Sequence, residues 1–351
     1  MCEKNRERRQ CGGRFGLATL AFTATALFLP LTGSADAQEI DHREPEEVRF
    51  RHGDLQLGGL WFVPAGEKPF PAAVVIRGSG PSRRDSYWTR AIIRVLLDAG
   101  VAALLPDKRG SDSSAGDWRT ASFEELAGDA LAAVRFARSR PEIRSDRVGL
   151  IGLSQGGKIA PLAAADSPEV AWVINLVGAS TTFREQVSWE MYHTFREAGL
   201  KDEPLEKALA LQIAAEGYVD RDVEWSVYRR LLDSALVSPA AEVARGFPAS
   251  PDAWQWDFFR RVIDFDPLPH WKRTRQPVLV FYGEEDHNAP AVRSAYRLLR
   301  AFRESGHPDA TVRVIDEAGH GLWDPRSPDP HQPRLHPVLV DVLQEWLRAR
   351  R

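Results

Sequence analysis

The sequence predicts an α/β fold, in which a mostly parallel sheet has helices on both faces and a helical cap inserted late in the sheet. From residue 72 to about residue 180, short continuous apolar runs alternate with amphipathic stretches. Strands that are buried on both faces have such runs, because neither face meets water. The alternation resumes at residue 277, after residues 181–270, whose pattern is typical of helices. With 351 residues, 43% hydrophobic and 27% charged, the composition is that of a globular protein.

The first elements precede the parallel part of the sheet. Residues 47–63 alternate apolar and polar side chains, which predicts an antiparallel pair of strands with a turn near Gly53. The parallel strands are then predicted at 72–76, 101–105, 148–152 and 171–177. The helices between them are predicted at 87–99, at 124–138 and from Gln155 onward.

The later elements place the cap within a single sheet. Its helices are predicted at 185–197, 204–216, 222–237 and 253–262, followed by strands at 277–282 and 311–315 and helices at 291–304 and 338–350. Residues 38–180 and 271–351 then form the core, and residues 181–270 form the cap. Five of the eleven tryptophans lie between residues 189 and 271. Packing of the cap on the core explains any one of them, but together they favour an apolar cleft beneath the cap.

The N-terminal residues have the pattern of a secretory signal peptide. Residues 1–14 contain five basic and two acidic residues, an apolar run covers residues 15–31, and small residues end in Ala35-Asp36-Ala37. This pattern predicts cleavage after Ala37 and a bacterial protein that is exported, either periplasmic or secreted. A retained membrane anchor is the alternative, but the run is short for a span. Cys2 and Cys11 both lie in this segment, so residues 38–351 hold no disulfide and no cysteine metal site.

Charge and motifs exclude several classes of partner. The net charge of −3 gives no electrostatic reason to expect binding to nucleic acid. The chain has no metal-ligand spacing, phosphate loop or dinucleotide motif, so we expect neither a metal nor a cofactor. The expected partner is a small apolar acyl substrate, and no stable membrane anchor remains after cleavage of the signal.

A nucleophilic serine is predicted at residue 154. Gly152-Leu153-Ser154-Gln155-Gly156 has the Gly-x-Ser-x-Gly pattern, and it falls between a predicted buried strand and a predicted helix. In this turn the serine is forced into a strained conformation that lifts its hydroxyl above the sheet, and only glycine fits at the positions of Gly152 and Gly156. The N-terminus of the helix also favours the negative charge that develops near Ser154.

A serine needs a base, and the expected chain order for this turn is serine, then an acid, then histidine. Asp286 ends one predicted strand and His320 follows the next, so both are expected at the carboxyl edge of the sheet. Glu284 and Glu285 compete with Asp286 for the acidic role, but the side chain beyond the strand end turns more readily toward the imidazole. The remaining need is a pair of amides for the oxyanion. We expect these from the backbone of Gln155 and, in the glycine-rich segment 77–81, from Ser79, with Gly80 as the second choice.

These motifs resemble those of the α/β-hydrolase superfamily, and the likeness covers nearly all of residues 47–351. The pattern is similar to bacterial serine esterases and peptidase-like hydrolases with a His-Gly-Ser-Gly-Pro loop, an Asp-Lys-Arg-Gly segment and a Gly-x-Ser-x-Gly-Gly turn. Here these are residues 77–81, 107–110 and 152–157, with Arg77 in place of the histidine. The resemblance implies hydrolysis of an ester, a thioester or an amide, and it does not identify the substrate. Residues 107–110 are expected to shape a loop beside the site without a catalytic step.

The resulting hypothesis is a carboxylesterase-like serine hydrolase that acts through an acyl-enzyme on Ser154. A peptidase, aminopeptidase or thioesterase of the same fold is the alternative, and a non-catalytic binding protein is a remote one. An aminopeptidase would need acidic cap residues for the substrate amine, and Glu185, Glu190 and Asp202 are available. A binding protein that had lost catalysis would not be expected to keep the serine, the histidine and both glycines.

Overall fold

The computed structural model describes residues 44–81 and 83–350. The predicted signal peptide, residues 1–37, lies outside the described residues. The strands are β1 (Glu46–His52), β2 (Leu55–Phe62), β3 (Phe70–Ile76), β4 (Ala102–Pro106), β5 (Ile143–Leu153), β6 (Val173–Leu176), β7 (Val278–Gly283) and β8 (Ala310–Ile315). They form one sheet in the order β1-β2-β4-β3-β5-β6-β7-β8.

The sheet is mostly parallel, as the apolar runs predicted. β1 pairs with β2 through a short turn at Gly53, and β2 pairs with β4; both pairs are antiparallel. From β4 to β8 every neighbouring pair is parallel. The carboxyl ends of β3, β5, β7 and β8 therefore lie at the same edge of the sheet.

Helices cover both faces. They are α1 (Tyr87–Asp98), α2 (Phe123–Ser139), α3 (Gly156–Ala164), α4 (Phe183–Glu197), α5 (Asp202–Asp220), α6 (Trp225–Leu236), α7 (Ala241–Ala244), α8 (Trp254–Val262), α9 (Leu268–Arg273), α10 (Ala291–Ser305) and α11 (Pro337–Arg348). Val75 of β3 belongs to the buried apolar cluster that includes residues of α1 and α11, whereas its neighbour Val74 belongs to the cluster that includes residues of α2, α3 and α10. Successive strand residues point to opposite faces, so each apolar run contributes to two cores. The predicted α/β fold with helices on both faces is confirmed.

The residues between β6 and β7 form α4 to α9, at the place predicted for the cap. An aromatic cluster of Tyr218, Trp225, Tyr228 and Trp256 forms much of the interior of this insert, with ring centroids 4.8–6.4 Å apart. Trp254 instead contacts Trp118 of the core at 5.3 Å between ring centroids. These tryptophans thus pack within the insert and onto the core.

Several boundaries differ from the predicted ones. β5 begins at Ile143, five residues before the apolar run, because its first part is polar and partly exposed. The short helices α7 and α9 had no predicted counterpart, since four and six residues are too few to show a helical period. The predicted boundary at residues 270 and 271 falls inside α9, which packs against α3 and α10.

Candidate active site

Ser154 lies on the tight turn between β5 and α3. Its backbone φ is +52°, a left-handed conformation that a residue with a Cβ adopts only where its neighbours hold it. The N–H of Ser154 donates to the carbonyl of Leu176 at 2.9 Å, and the N–H of Gly157 donates to the carbonyl of Ser154 at 2.8 Å. These bonds fix the turn at the carboxyl edge of the sheet.

Gly152 and Gly156 flank this turn where backbones come into close contact. A Cβ on Gly156 would overlap the carbonyl of Ile76 on β3, and a Cβ on Gly152 would overlap the backbone of Gly156. Overlap with backbone cannot be relieved by a side-chain rotation. Neither position accepts a side chain without displacing the turn that holds Ser154.

The structure brings Ser154, His320 and Asp286 into one chain of hydrogen bonds. His320 Nε2 lies 2.9 Å from Ser154 Oγ. On the other side of the ring, His320 Nδ1 lies 2.8 Å from Asp286 Oδ2 and 3.0 Å from Asp286 Oδ1. With the proton on Nδ1 donated to the carboxylate, Nε2 has its lone pair available to accept the serine proton.

Asp286 is held in place by its own loop. Its side chain is fully buried, and Oδ1 also accepts the backbone N–H groups of Asn288 at 2.8 Å and Ala289 at 2.9 Å. The competing carboxylates of Glu284 and Glu285 are exposed. Of the three acidic residues at this strand end, Asp286 is therefore the one in contact with His320.

Two carboxylates, those of Asp286 and Glu190, raise the pKa of His320. Burial lowers the pKa of this imidazole, but the charge of Asp286, its hydrogen bond and the charge of Glu190 outweigh burial and leave the pKa above its ordinary value. A stronger base accepts the serine proton more readily. The ring is also flanked by Trp88 on α1, with 5.9 Å between ring centroids.

The segment 77–81 passes close to Ser154, as expected for a loop after the neighbouring strand β3. A Cβ on Gly78 would lie 3.2 Å from the Cβ of Ser154 and 3.6 Å from its Oγ. The backbone N–H groups of Ser79 and Gln155 donate no hydrogen bond to another group of residues 44–81 and 83–350. Amides in this position can donate to an oxygen that develops negative charge beside Ser154.

Lys108 binds the backbone of the segment 77–81. Its ammonium donates to the carbonyl of Gly80 at 2.9 Å and also to the carbonyl of Gly78, which belongs to the same peptide group as the N–H of Ser79. It lies 3.4 Å from Gln155 Oε1 as well. Burial lowers the pKa of Lys108 to about 7, with a smaller contribution from Arg77.

Arg77 has a structural position under the same loop. Its guanidinium is buried, donates to the carbonyl of Arg83 and lies 3.7 Å from Asp107. Asp107 is also bound by Arg84 through two hydrogen bonds of 2.7 and 3.0 Å. The expected shaping of a loop by residues 107–110 is therefore visible in contacts of Asp107 and Lys108.

Sequence reasoning did not find the surroundings of the histidine. Asn288 lies two residues after Asp286 on the same loop, a spacing that could have suggested a backbone contact to the carboxylate. Glu190 comes from α4 and was considered only as an amine-binding candidate. The polar residues of α4 have no pattern that separates Glu190 from exposed carboxylates, so only the tertiary structure identifies it.

Residues 44–81 and 83–350 contain neither a cluster of metal-ligating side chains nor a helix suited to span a membrane. No three or more histidine, cysteine, aspartate or glutamate side chains are grouped there in a way that could hold a metal ion. None of the helices in those ranges has the length and apolar character needed to span a membrane.

Comparison with known proteins gives the family. A model of the alpha/beta hydrolase family matches residues 73–332, a span that includes Ser154, Asp286 and His320. The chain belongs to the alpha/beta hydrolase family.

Three proteins similar to this chain illustrate the range of its relatives. It is 23% identical to esterase EstD of Thermotoga maritima over 302 residues, which cover 84% of this chain and 65% of EstD. It is 25% identical to the quorum-quenching protein AidA of Acinetobacter baumannii, with 70% of this chain and 80% of AidA covered. The structure of the Pyrococcus furiosus esterase Pf2001 matches with a TM-score of 0.54 at 16% identity, over 88% of this chain and 91% of that one. This last likeness shows the fold alone, and the alpha/beta hydrolase spans somewhat less than two thirds of the length of EstD.

Proposed function

We propose that this protein is a serine hydrolase that cleaves a carboxylic ester, with Ser154 as nucleophile, His320 as general base and Asp286 as the group that orients the imidazole. The observation that carries the proposal is the 2.9 Å contact between His320 Nε2 and Ser154 Oγ, on a serine held at positive φ. A serine hydroxyl becomes a useful nucleophile when a base accepts its proton, and here the base is within hydrogen-bond reach.

Acylation begins with attack of Ser154 Oγ on the carbonyl carbon of the ester. The serine proton passes to His320 Nε2, and Asp286 stabilises the imidazolium that results. The carbonyl oxygen becomes an oxyanion, which the N–H groups of Gln155 and Ser79 stabilise. The carbon–oxygen bond to the alcohol then breaks, His320 returns its proton to the leaving alkoxide, and an acyl group remains on Ser154.

Deacylation repeats these steps with water. His320 removes a proton from the water as its oxygen attacks the acyl carbon, and the same amides stabilise the second oxyanion. The bond to Ser154 Oγ breaks, and the proton returns from His320 to the serine. The products are one carboxylic acid and one alcohol, so the enzyme returns to its starting state.

Esters are favoured over peptides with a free amino terminus. Of the three acidic residues considered for amine binding, two are bonded to other side chains and the third is exposed. Glu185 is paired with Arg293 and with Arg297. Asp202 is exposed at the start of α5. Glu190 accepts a hydrogen bond from the side chain of Asn288 at 3.0 Å. The relative EstD, named as an esterase, adds support for esters.

A fluorophosphonate probe tests the nucleophile, because it reacts with an activated serine and labels the residue that attacks. We expect the label on the peptide that contains Ser154. In Ser154→Ala we expect no label and a loss of about a thousandfold or more in kcat/KM for aryl esters. Ser188→Ala, which removes a hydroxyl from α4 that bonds Glu216, serves as the control with both signals retained. A wild-type protein that takes no label, or a Ser154→Ala variant with unchanged turnover, contradicts the proposal.

The same proteins can be given a matched set of acyl compounds that differ only in the leaving group. We expect the aryl ester to be hydrolysed with a kcat/KM at least about a hundredfold above that of the corresponding amide. A thioester of the same acyl group gives the third comparison. Faster hydrolysis of an aminoacyl amide than of its ester would favour the peptidase alternative.

We also propose that the protein acts outside the cytoplasm of a bacterium, after removal of residues 1–37. This rests on the charge and apolar pattern of those residues, which lie outside the described part of the chain. Expression of the full chain in a bacterial host tests it, since the exported protein is expected to begin at Gln38.

A further inference from the structure

A second carboxylate, that of Glu190, lies beside the hydrogen-bonded chain of Ser154, His320 and Asp286. It comes from α4, the first helix of the insert, whereas Asp286 and His320 come from the core. Glu190 Oε1 accepts a hydrogen bond from Asn288 Nδ2 at 3.0 Å, and the backbone N–H of Asn288 donates to Asp286 Oδ1 at 2.8 Å. One asparagine thus connects the two carboxylates.

The neighbouring residue of α4 makes a second contact with the same loop. Trp189 Nε1 donates to the backbone carbonyl of Asp286 at 3.1 Å. Two consecutive residues of the insert therefore bind the loop that carries Asp286, one at its backbone and one at the side chain of Asn288. This loop is held from the insert as well as from the sheet.

Glu190 differs from the other carboxylates of α4 in its partners. Glu185 pairs with Arg293 and Arg297, and Glu197 bonds His287. Within the described ranges, no lysine or arginine lies within 4.0 Å of the Glu190 carboxylate. A partly buried carboxylate without a cation is unfavourable, so its charge must be compensated by another group.

Two groups favour the charged form of Glu190: the side chain of Asn288, through its hydrogen bond, and the imidazole of His320 when it is protonated. Burial raises the pKa of Glu190, and the positive form of His320 and the hydrogen bond from Asn288 lower it again in part. In return, Glu190 raises the pKa of His320. The charged groups that act on His320 are Asp286 and Glu190, and those that act on Glu190 are His320 and Asp286. Helix α1 contributes the uncharged Trp88, and the next turn of α4 contributes His193, which stacks on His287.

We propose that Glu190 is a positioning residue of the hydrolytic site, which holds the Asp286 loop through Asn288 and stabilises the positive charge that His320 acquires during each proton transfer. This inference rests on the proposed serine hydrolysis. It assigns to the insert a part in the reaction itself, in addition to any part in covering the substrate. Glu190 acts through His320 and touches neither the serine nor the acyl group.

The variant Glu190→Gln isolates the charge, since glutamine keeps the size of the side chain and its oxygen can still accept from Asn288. The general base must be neutral to accept a proton. The value of kcat/KM therefore decreases as the pH drops below the pKa of His320. Loss of the Glu190 charge lowers that pKa, and the acidic limb of the pH profile is expected to move to lower pH. A weaker base also lowers the plateau at high pH, by about two- to tenfold. Relative to its own plateau, the variant is therefore more active than the wild type at acidic pH.

The rate of fluorophosphonate labelling of Ser154 gives the same profile without dependence on a chosen ester. Glu197→Gln is the matched control on the same helix, and its acidic limb is expected to stay where that of the wild type lies. Glu190→Asp keeps the charge and is expected to lie closer to the wild type than Glu190→Gln does.

Three outcomes would overturn the inference. They are an unmoved limb in Glu190→Gln, an equal movement in Glu197→Gln, and a loss in Glu190→Gln that appears only as a higher KM for esters with a cationic acyl group. The last outcome would make Glu190 a substrate-binding residue. Failure of the proposed function is distinct from all three, because the wild type itself would then take no label.

Discussion

At the scale of single residues, position relative to the strand end decides which carboxylate meets the histidine. Glu284, Glu285 and Asp286 follow one another at the end of β7, yet only Asp286 is buried. Its loop supplies two backbone N–H groups to the carboxylate. The carboxylate of Asp286 is therefore held in place by these two hydrogen bonds, whereas the longer side chains of Glu284 and Glu285 are exposed to solvent.

Asp286→Asn removes the negative charge and leaves an oxygen to accept those two N–H groups. An amide NH₂ facing His320 Nδ1 favours the tautomer with the proton on Nε2, which cannot accept the serine proton. We expect kcat to fall by about a thousandfold to ten-thousandfold, measured with an aryl ester. Glu285→Gln makes the same chemical change one residue earlier and is expected to leave kcat unchanged. A smaller loss in Asp286→Asn than in Glu285→Gln would show that the wrong carboxylate has been assigned.

At the scale of elements, residues 77–81, the loop proposed to bind the oxyanion, are held by a lysine that follows another strand. β3 leads to residues 77–81, and β4 leads to Lys108, whose ammonium bonds the carbonyls of Gly78 and Gly80. Because the Gly78 carbonyl and the Ser79 N–H belong to one planar peptide group, the bond from Lys108 to this carbonyl constrains the direction of the Ser79 amide. The parallel pairing of β3 and β4 is what brings the two loops together.

Lys108→Met keeps most of the unbranched side chain and removes the ammonium group with its hydrogen bonds. We expect kcat to fall by about ten- to a hundredfold, with a smaller change in KM, because the amide stabilises the transition state more than the bound ester. Steady-state kinetics with an aryl ester measure both constants. Lys207→Met is the control, since Lys207 pairs with Glu203 on α5. If Lys108→Met had the kcat of the wild type, the proposed role of Lys108 and the segment 77–81 in stabilising the oxyanion would be wrong.

At the scale of the whole molecule, one buried lysine joins the core to the insert. Lys158 on α3 is fully buried, and its ammonium donates to the carbonyls of Ala179 at 2.9 Å and Thr181 at 2.7 Å. Those residues begin the segment that leads from β6 into α4. Burial lowers the pKa of Lys158 to about 7, from 10.5 in the unfolded chain.

This pKa difference makes stability depend on pH in a defined direction. Below pH 7 both states carry the proton, and the unfavourable burial of charge is constant. Between pH 7 and 10.5 the unfolded chain binds more protons than the folded one, so this group raises the free energy of unfolding as pH rises. Urea unfolding should therefore show the wild type gaining stability relative to Lys158→Met from pH 7 to pH 10. Lys207→Met is the control, and its free energy of unfolding is expected to differ from that of the wild type by the same amount at every pH. A difference between the wild type and Lys158→Met that is equally constant from pH 7 to pH 10 would contradict the assigned pKa.

The parts of the structure that the sequence predicted are those encoded locally. The turn around Ser154 could be placed because strand, glycines and helix follow one another within about twenty residues. The positions of Asp286 and His320 followed from strand ends, which apolar runs mark. The order of β2, β4 and β3 and the antiparallel pairing of β2 with β4 could not be predicted, because they depend on which strands meet after folding. The same holds for Lys108 and Glu190, whose partners lie 28 and 98 residues away in sequence.

The adjacency of β6 and β7 has a consequence for how such a protein can diversify. Val173 and Val278 are register partners, although the whole insert lies between them in sequence. The two ends of that segment are therefore anchored side by side by the sheet, and lengthening or exchanging it adds little to the entropy of closing the chain. Evolution can therefore replace the helices between β6 and β7 with others, and such a replacement would change which substrates reach the site. Under the proposed role of Glu190, such an exchange has to keep the turn of α4 that carries Trp189 and Glu190, because a replacement without that carboxylate would lower the pKa of His320.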